Sequence, residues 1–147
     1  MKLVDYRILA VTVIVYSAMG MNAHAHEMAG FLGKSAAAVD LYQVRCFDDG
    51  TGATDYLAVE ISDQAPIHPS LLSVQVSKGE QVRNVTDLVD GDEAFSRPVK
   101  LKGGNGDYLL SVDKTGADEE VYNLEVHCVT ATGAHTGTTD PVALQDQ

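Results

Sequence analysis

From Val39 onward the chain is cut into short segments in which apolar and polar residues alternate one by one, and clusters of Gly, Pro, Asn and Asp separate the segments. A period of two places successive side chains on opposite faces of an extended strand, and no sustained period of 3.6 competes with it. Strands are expected over residues 39–47, 55–62, 71–77, 81–88, 95–101, 107–113 and 121–129. Between them, stretches such as Asp48-Asp49-Gly50, Lys78-Gly79-Glu80 and Gly103-Gly104-Asn105-Gly106 supply residues that tolerate positive φ or close a tight bend. The expected fold class is all-β: a single β-sandwich of about seven strands, with Greek-key connections of the immunoglobulin-like or jelly-roll kind. The same alternation names the inward side chains: Val44, Leu57, Val59, Ile61, Leu72, Val74, Val76, Leu101, Leu110, Val112, Leu124 and Val126. One helical turn is expected at most, at residues 34–39, around Ser35-Ala36-Ala37-Ala38.

The pattern also orients the two cysteines. Tyr42, Val44 and Cys46 share one strand face, and Tyr122, Leu124, Val126 and Cys128 share another. Both sulfurs point inward, so a disulfide between Cys46 and Cys128 is expected. It closes a loop of about 80 residues, and in the chain-entropy account such a crosslink contributes roughly 4 to 5 kcal/mol. Disulfides persist in oxidising compartments.

The first residues agree with that compartment. Lys2 and Arg7 precede the apolar run of residues 8–16, and small and polar residues follow to Ala23-His24-Ala25. This is the order of a secretory signal peptide, expected over residues 1–25 with cleavage after Ala25. The apolar run falls short of the roughly 20 residues that a membrane span needs. The expected division is a signal peptide (1–25), an N-terminal segment (26–38), the sandwich (39–129) and a flexible Thr- and Gly-rich tail (130–147), in a periplasmic or secreted protein with no membrane span after cleavage.

Ten basic against 21 acidic residues give a net charge of −11. Such a surface repels phosphate backbones, so nucleic acid is not an expected partner. Cations, basic proteins or like subunits are, and a protein partner or self-association is the expectation.

The stretch Gly106-Asp107-Tyr108-Leu109-Leu110-Ser111-Val112, followed by Tyr122-Asn123-Leu124-Glu125-Val126, resembles the closing strands of bacterial pre-peptidase C-terminal β-sandwich modules. It is also similar to small exported bacterial proteins that end in Tyr-x-Leu-x-x-His-Cys. The resemblance covers about a quarter of the chain and implies a fold with a noncatalytic, accessory role. Tyr108, just after Gly106-Asp107, sits where Greek-key sandwiches place a tyrosine corner, its hydroxyl tied to an upstream backbone group, and is read as structural.

Catalytic patterns are missing: there is no G-x-S-x-G, no H-E-x-x-H and no glycine-rich phosphate loop with its lysine, so no enzyme is expected. Two metal readings stand beside that. After cleavage, His26 would carry the terminal amine, and with His127 or His135 its nitrogens would suit copper. Cleavage after Ala23 instead would place His26 third from the amine. Carboxylates in turns, with Asp48, Asp49 and Asp55 in one region, Asp87, Asp90, Asp92 and Glu93 in another and Asp118, Glu119 and Glu120 in a third, offer oxygen ligands for calcium, Asp48, Asp49, Asp90 and Asp92 foremost, without the spacing of an EF-hand. The expected function is a noncatalytic binding module or subunit of an extracellular assembly. A copper-binding protein using His26 is the alternative, and a calcium-stiffened accessory module of a secreted enzyme the second.

Overall fold

A computed structural model describes residues 26–147. The expected signal peptide lies outside the described residues. The described chain is all strand and turn: β1 (His26–Leu32), β2 (Asp40–Phe47), β3 (Thr54–Gln64), β4 (Leu72–Lys78), β5 (Gln81–Thr86), β6 (Val99–Leu101), β7 (Gly106–Lys114), β8 (Glu120–Thr130), β9 (Gly137–Thr138) and β10 (Val142–Gln145). Two antiparallel sheets form, in the orders β1-β8-β3-β6 and β10-β2-β7-β4-β5, with β9 also paired to β2. Among the described residues no helix is long and apolar enough to cross a membrane.

The alternation explains how the sheets meet. All twelve inward side chains named from the sequence are buried at 1% exposure or less, and they belong to one core to which both sheets contribute. Burying β-branched and leucine side chains at roughly 25 cal/mol per Å² of apolar surface is the main drive for stacking the sheets. Register follows from the same faces: in β3 and β8, Leu57 stands opposite Cys128, Val59 opposite Val126 and Ile61 opposite Leu124. Slipping either strand by one residue would turn this set outward. The hairpin between β4 and β5 turns on Gly79-Glu80, with Gly79 at φ +58°, a conformation glycine adopts without steric cost.

Three expectations about the chain change. Residues 130–147, expected as a flexible tail, instead form β9 and β10, which lie along β2. The free edge of β2 presents backbone donors and acceptors that need partners, and this segment supplies them. Its final residue is held too: Gln147 donates its N–H to Asp40 Oδ1 at 2.8 Å, and its carbonyl accepts from the Gly33 N–H at 2.8 Å. The N-terminal segment contains a further strand, β1, which pairs with β8 from His26 opposite Val126 to Leu32 opposite Glu120. Gly30 lets β1 pass over the Tyr122 ring, since a Cβ there would come within 2.1 Å of the ring carbon Cζ. The strand expected at 95–101 shrinks to β6, because residues 87–98 serve as a long connection between the sheets. At residues 34–39 the backbone makes only a turn, Ala38 N–H donating to Ser35 O at 3.0 Å.

Candidate metal centre

The two ends of the stacked sheets differ in chemistry. At one end Cys46 and Cys128 form a disulfide, with Cα atoms 5.6 Å apart. At the other, β3 and β8 run on past their apolar residues and keep the inward register. Asp63 lies two positions beyond Ile61 and Glu120 two before Tyr122, so both carboxylates point between the sheets. Each is fully buried. Asp90, from the connection between β5 and β6, joins them, and one carboxylate oxygen from each of the three lies within 4.8 Å of the others.

Neither oxygen of Asp63, neither oxygen of Glu120, nor Oδ1 of Asp90 accepts a hydrogen bond within the protein. Burying a charge without a partner is among the costliest arrangements a fold can hold. The backbone aims the ligands: Asp87 Oδ2 accepts from the Asp63 N–H at 2.8 Å, Asp90 Oδ2 accepts from the His68 N–H, and Gly91 N–H donates to Asp63 O at 3.2 Å. The His68 ring stands beside Glu120, its Nδ1 3.5 Å from Oε2, which is longer than a hydrogen bond of good geometry.

Electrostatics reflect the crowding. Burial, then the neighbouring carboxylates of Asp90, Glu120 and Asp87, push the Asp63 carboxyl up to about 7. Burial also raises Glu120, and His68 beside it pulls part of the way back. His68 is pulled down by desolvation, but Glu120 outweighs that and leaves the imidazole raised. Oxygen-only carboxylate sets of this kind suit hard divalent ions, calcium above all, for which carboxylates bind through one or both oxygens.

The residues expected to bind calcium are divided between the two ends. Asp48 and Asp49 lie in the turn after β2, on the disulfide side. Asp48 Oδ1 accepts from the N–H groups of Gly50 and Gly52 at 2.8 and 3.1 Å, and Asp49 Oδ1 accepts from Thr51 N–H at 3.0 Å. Asp92 Oδ1 likewise caps its own turn, accepting from Ala94 N–H at 2.9 Å. Asp90 joins the cluster together with Glu120 from the third acidic region, while Asp63 escaped the sequence reading. Its signal was there: an acidic residue at an inward position of an alternating strand.

The histidines separate in the same way. His26 stands opposite Val126, on the inward side of β1, with Nδ1 2.8 Å from Asp140 Oδ1. His127 is on the other face of that sheet, so the fold does not bring His26 to it. His127 and His135 do meet, their ring centroids 4.6 Å apart. Tyr108 is buried and its hydroxyl donates to Gly104 O at 2.8 Å, tying the start of β7 to the preceding turn.

Against protein-family models, curated proteins and solved structures, the chain gives no match.

Proposed function

We propose that the protein is an exported, noncatalytic β-sandwich that works by surface contact, and that a calcium ion held by Asp63, Asp90 and Glu120 sets the shape of its contact end. The observation that carries this reading is the pair of fully buried carboxylates with no hydrogen-bond partner on any of their four oxygens. A divalent cation is the group that would make such a cluster favourable. We read the strand orders 1-8-3-6 and 2-7-4-5 as a jelly roll built of two Greek keys, with β9 and β10 added beyond β2. The disulfide suits an oxidising compartment, periplasmic or extracellular. The likeness of β7 and β8 to pre-peptidase C-terminal modules supports an accessory role, though a fold alone assigns none.

The loops that carry the ligands also carry exposed aliphatic side chains. Ile67 precedes His68, Leu88 and Val89 precede Asp90, and all three face solvent. Holding Asp90 on a cation would fix how these side chains are presented to a second protein chain, another copy of this one included. The test is calcium titration of the mature protein by calorimetry, beside the Asp63→Asn variant, with sedimentation in calcium and in chelator. Saturable 1:1 binding that the variant loses, with association that depends on calcium, is the expected result. Binding unchanged by Asp63→Asn, or a monomer in both media, would overturn the reading.

A further inference from the structure

On the opposite face of the sheet, away from the core and from the carboxylate end, a second group of ligand-bearing side chains gathers. Glu60 and Glu125 stand directly opposite each other on β3 and β8, and Glu27 on β1 is opposite Glu125 on its other side. Three glutamates therefore form one row across three neighbouring strands, where cross-strand side chains are about 5 Å apart and like charges repel. Among the described residues no lysine or arginine forms an ion pair with any of them. His127 follows Glu125 on the same face, and its Nε2 meets Glu125 Oε1. The loop after β8 returns through a bridge between Val129 and His135 and lays the His135 ring against that of His127, tilted by 47°. The side chains of His127 and Glu125 are only 15% and 22% exposed, at the packed centre of a group whose outer members, Glu27 and His135, face solvent.

We infer that His127, His135, Glu125 and Glu60 form a second metal site, for a late first-row transition ion such as Zn(II) or Cu(II). The donor chemistry separates it from the carboxylate end: two imidazoles with carboxylates suit zinc or copper, whereas an oxygen-only set suits calcium. A dication inserted between the rings and the glutamate row would relieve the like-charge repulsion that the pairing creates. His135 is exposed on its loop, so its ring can turn to ligate without moving a strand.

The experiment is titration of the mature protein with Zn(II) and with Cu(II), in calcium-containing buffer, for the wild type, His135→Ala, Glu60→Gln, His26→Ala and Asp63→Asn. His135→Ala should weaken binding by roughly tenfold or more, since even losing an outer-shell partner costs ten- to a hundredfold, and Glu60→Gln should weaken it less. His26→Ala and Asp63→Asn should leave it unchanged. The Cu(II) spectrum should carry hyperfine splitting from two nitrogens in the wild type and from one in His135→Ala. Equal affinity in wild type and His135→Ala, or loss of binding in His26→Ala, would overturn the assignment. Failure of calcium binding with retention of Zn(II) would count against the calcium reading alone.

Discussion

The disulfide end and the carboxylate end are built from the same strands, yet one is closed by a covalent bond and the other gathers buried carboxylates with only the His68 ring beside them. β8 shows both solutions along its length. Its inward positions run from Glu120 through Tyr122, Leu124 and Val126 to Cys128, from a buried charge to a crosslink. Near Cys128, Tyr108 and Thr136 tie the neighbouring turns back to backbone carbonyls. At Glu120 three carboxylates share a space, and five of their six oxygens accept no hydrogen bond from the protein. The contrast teaches that one inward face of a strand can end in a crosslink and in a buried charge, and on the proposed reading the second end is the one whose order depends on a bound ion.

The largest effect should come from opening the fixed end. Replacing Cys46 and Cys128 together by Ala frees a loop that spans 82 positions and should lower stability by roughly 4 to 5 kcal/mol. Urea unfolding checks this, and a loss under about 1 kcal/mol would mean the crosslink does not restrain the unfolded chain as argued. The conditional end comes next. Calcium at a hundredfold excess over its Kd should add about 2.7 kcal/mol, a rise of roughly 10 °C in Tm for a domain of this size. Glu120→Gln should remove that increment. Identical melting in calcium and in chelator would dissolve the distinction between the ends.

A third test sharpens it by sign. The Asp63 carboxyl rises to about 7 in the folded chain, above the value of about 4 it has when unfolded. A group raised on folding contributes its stability below the unfolded value and loses it as pH rises through the folded one. In chelator, then, Tm should fall between about pH 4 and 7. With calcium bound, the carboxylates are held ionised, and the same window should show Tm rising with pH. Parallel curves in the two media would count against a cation in the cluster. The smallest effect belongs to Tyr108→Phe, which removes the hydrogen bond to Gly104 O and should cost about 1 kcal/mol without altering the calcium increment.

Much of the fold was legible because alternation is a direct image of a two-faced strand. The inward residues and the facing cysteines could be named from it, since a period of two leaves little choice of face. β10 was hidden for the opposite reason: at the sheet edge its side chains Val142 and Leu144 are exposed and none faces the core, so no alternation marks it. β1 was obscured by Gly30 and Ala29, small residues that suit a close approach over Tyr122 more than they advertise a strand. The metal centre could have been seen in part. Asp63 and Glu120 extend the alternating pattern inward, but the sequence offers Glu120 only as one of many turn carboxylates and does not mark Asp63, because calcium loops are commonly built from turns. Asp48, Asp49 and Asp92 serve their own turns instead. The meeting of His127 with His135 depends on how the loop after β8 folds back, and no local pattern encodes that.

The pairing of β1 with β8 alone has a kinetic consequence. The first strand of the described chain finds its only sheet neighbour about ninety residues later, and β2 waits as long for β10. The first sheet cannot be completed before β8 and the second not before β10, so strand edges stay open until these late strands arrive. Slow folding on the scale of milliseconds to seconds is the usual result of such distant pairing. A helper that shields exposed strand edges during that interval would raise the yield of this protein more than any change to its finished surface.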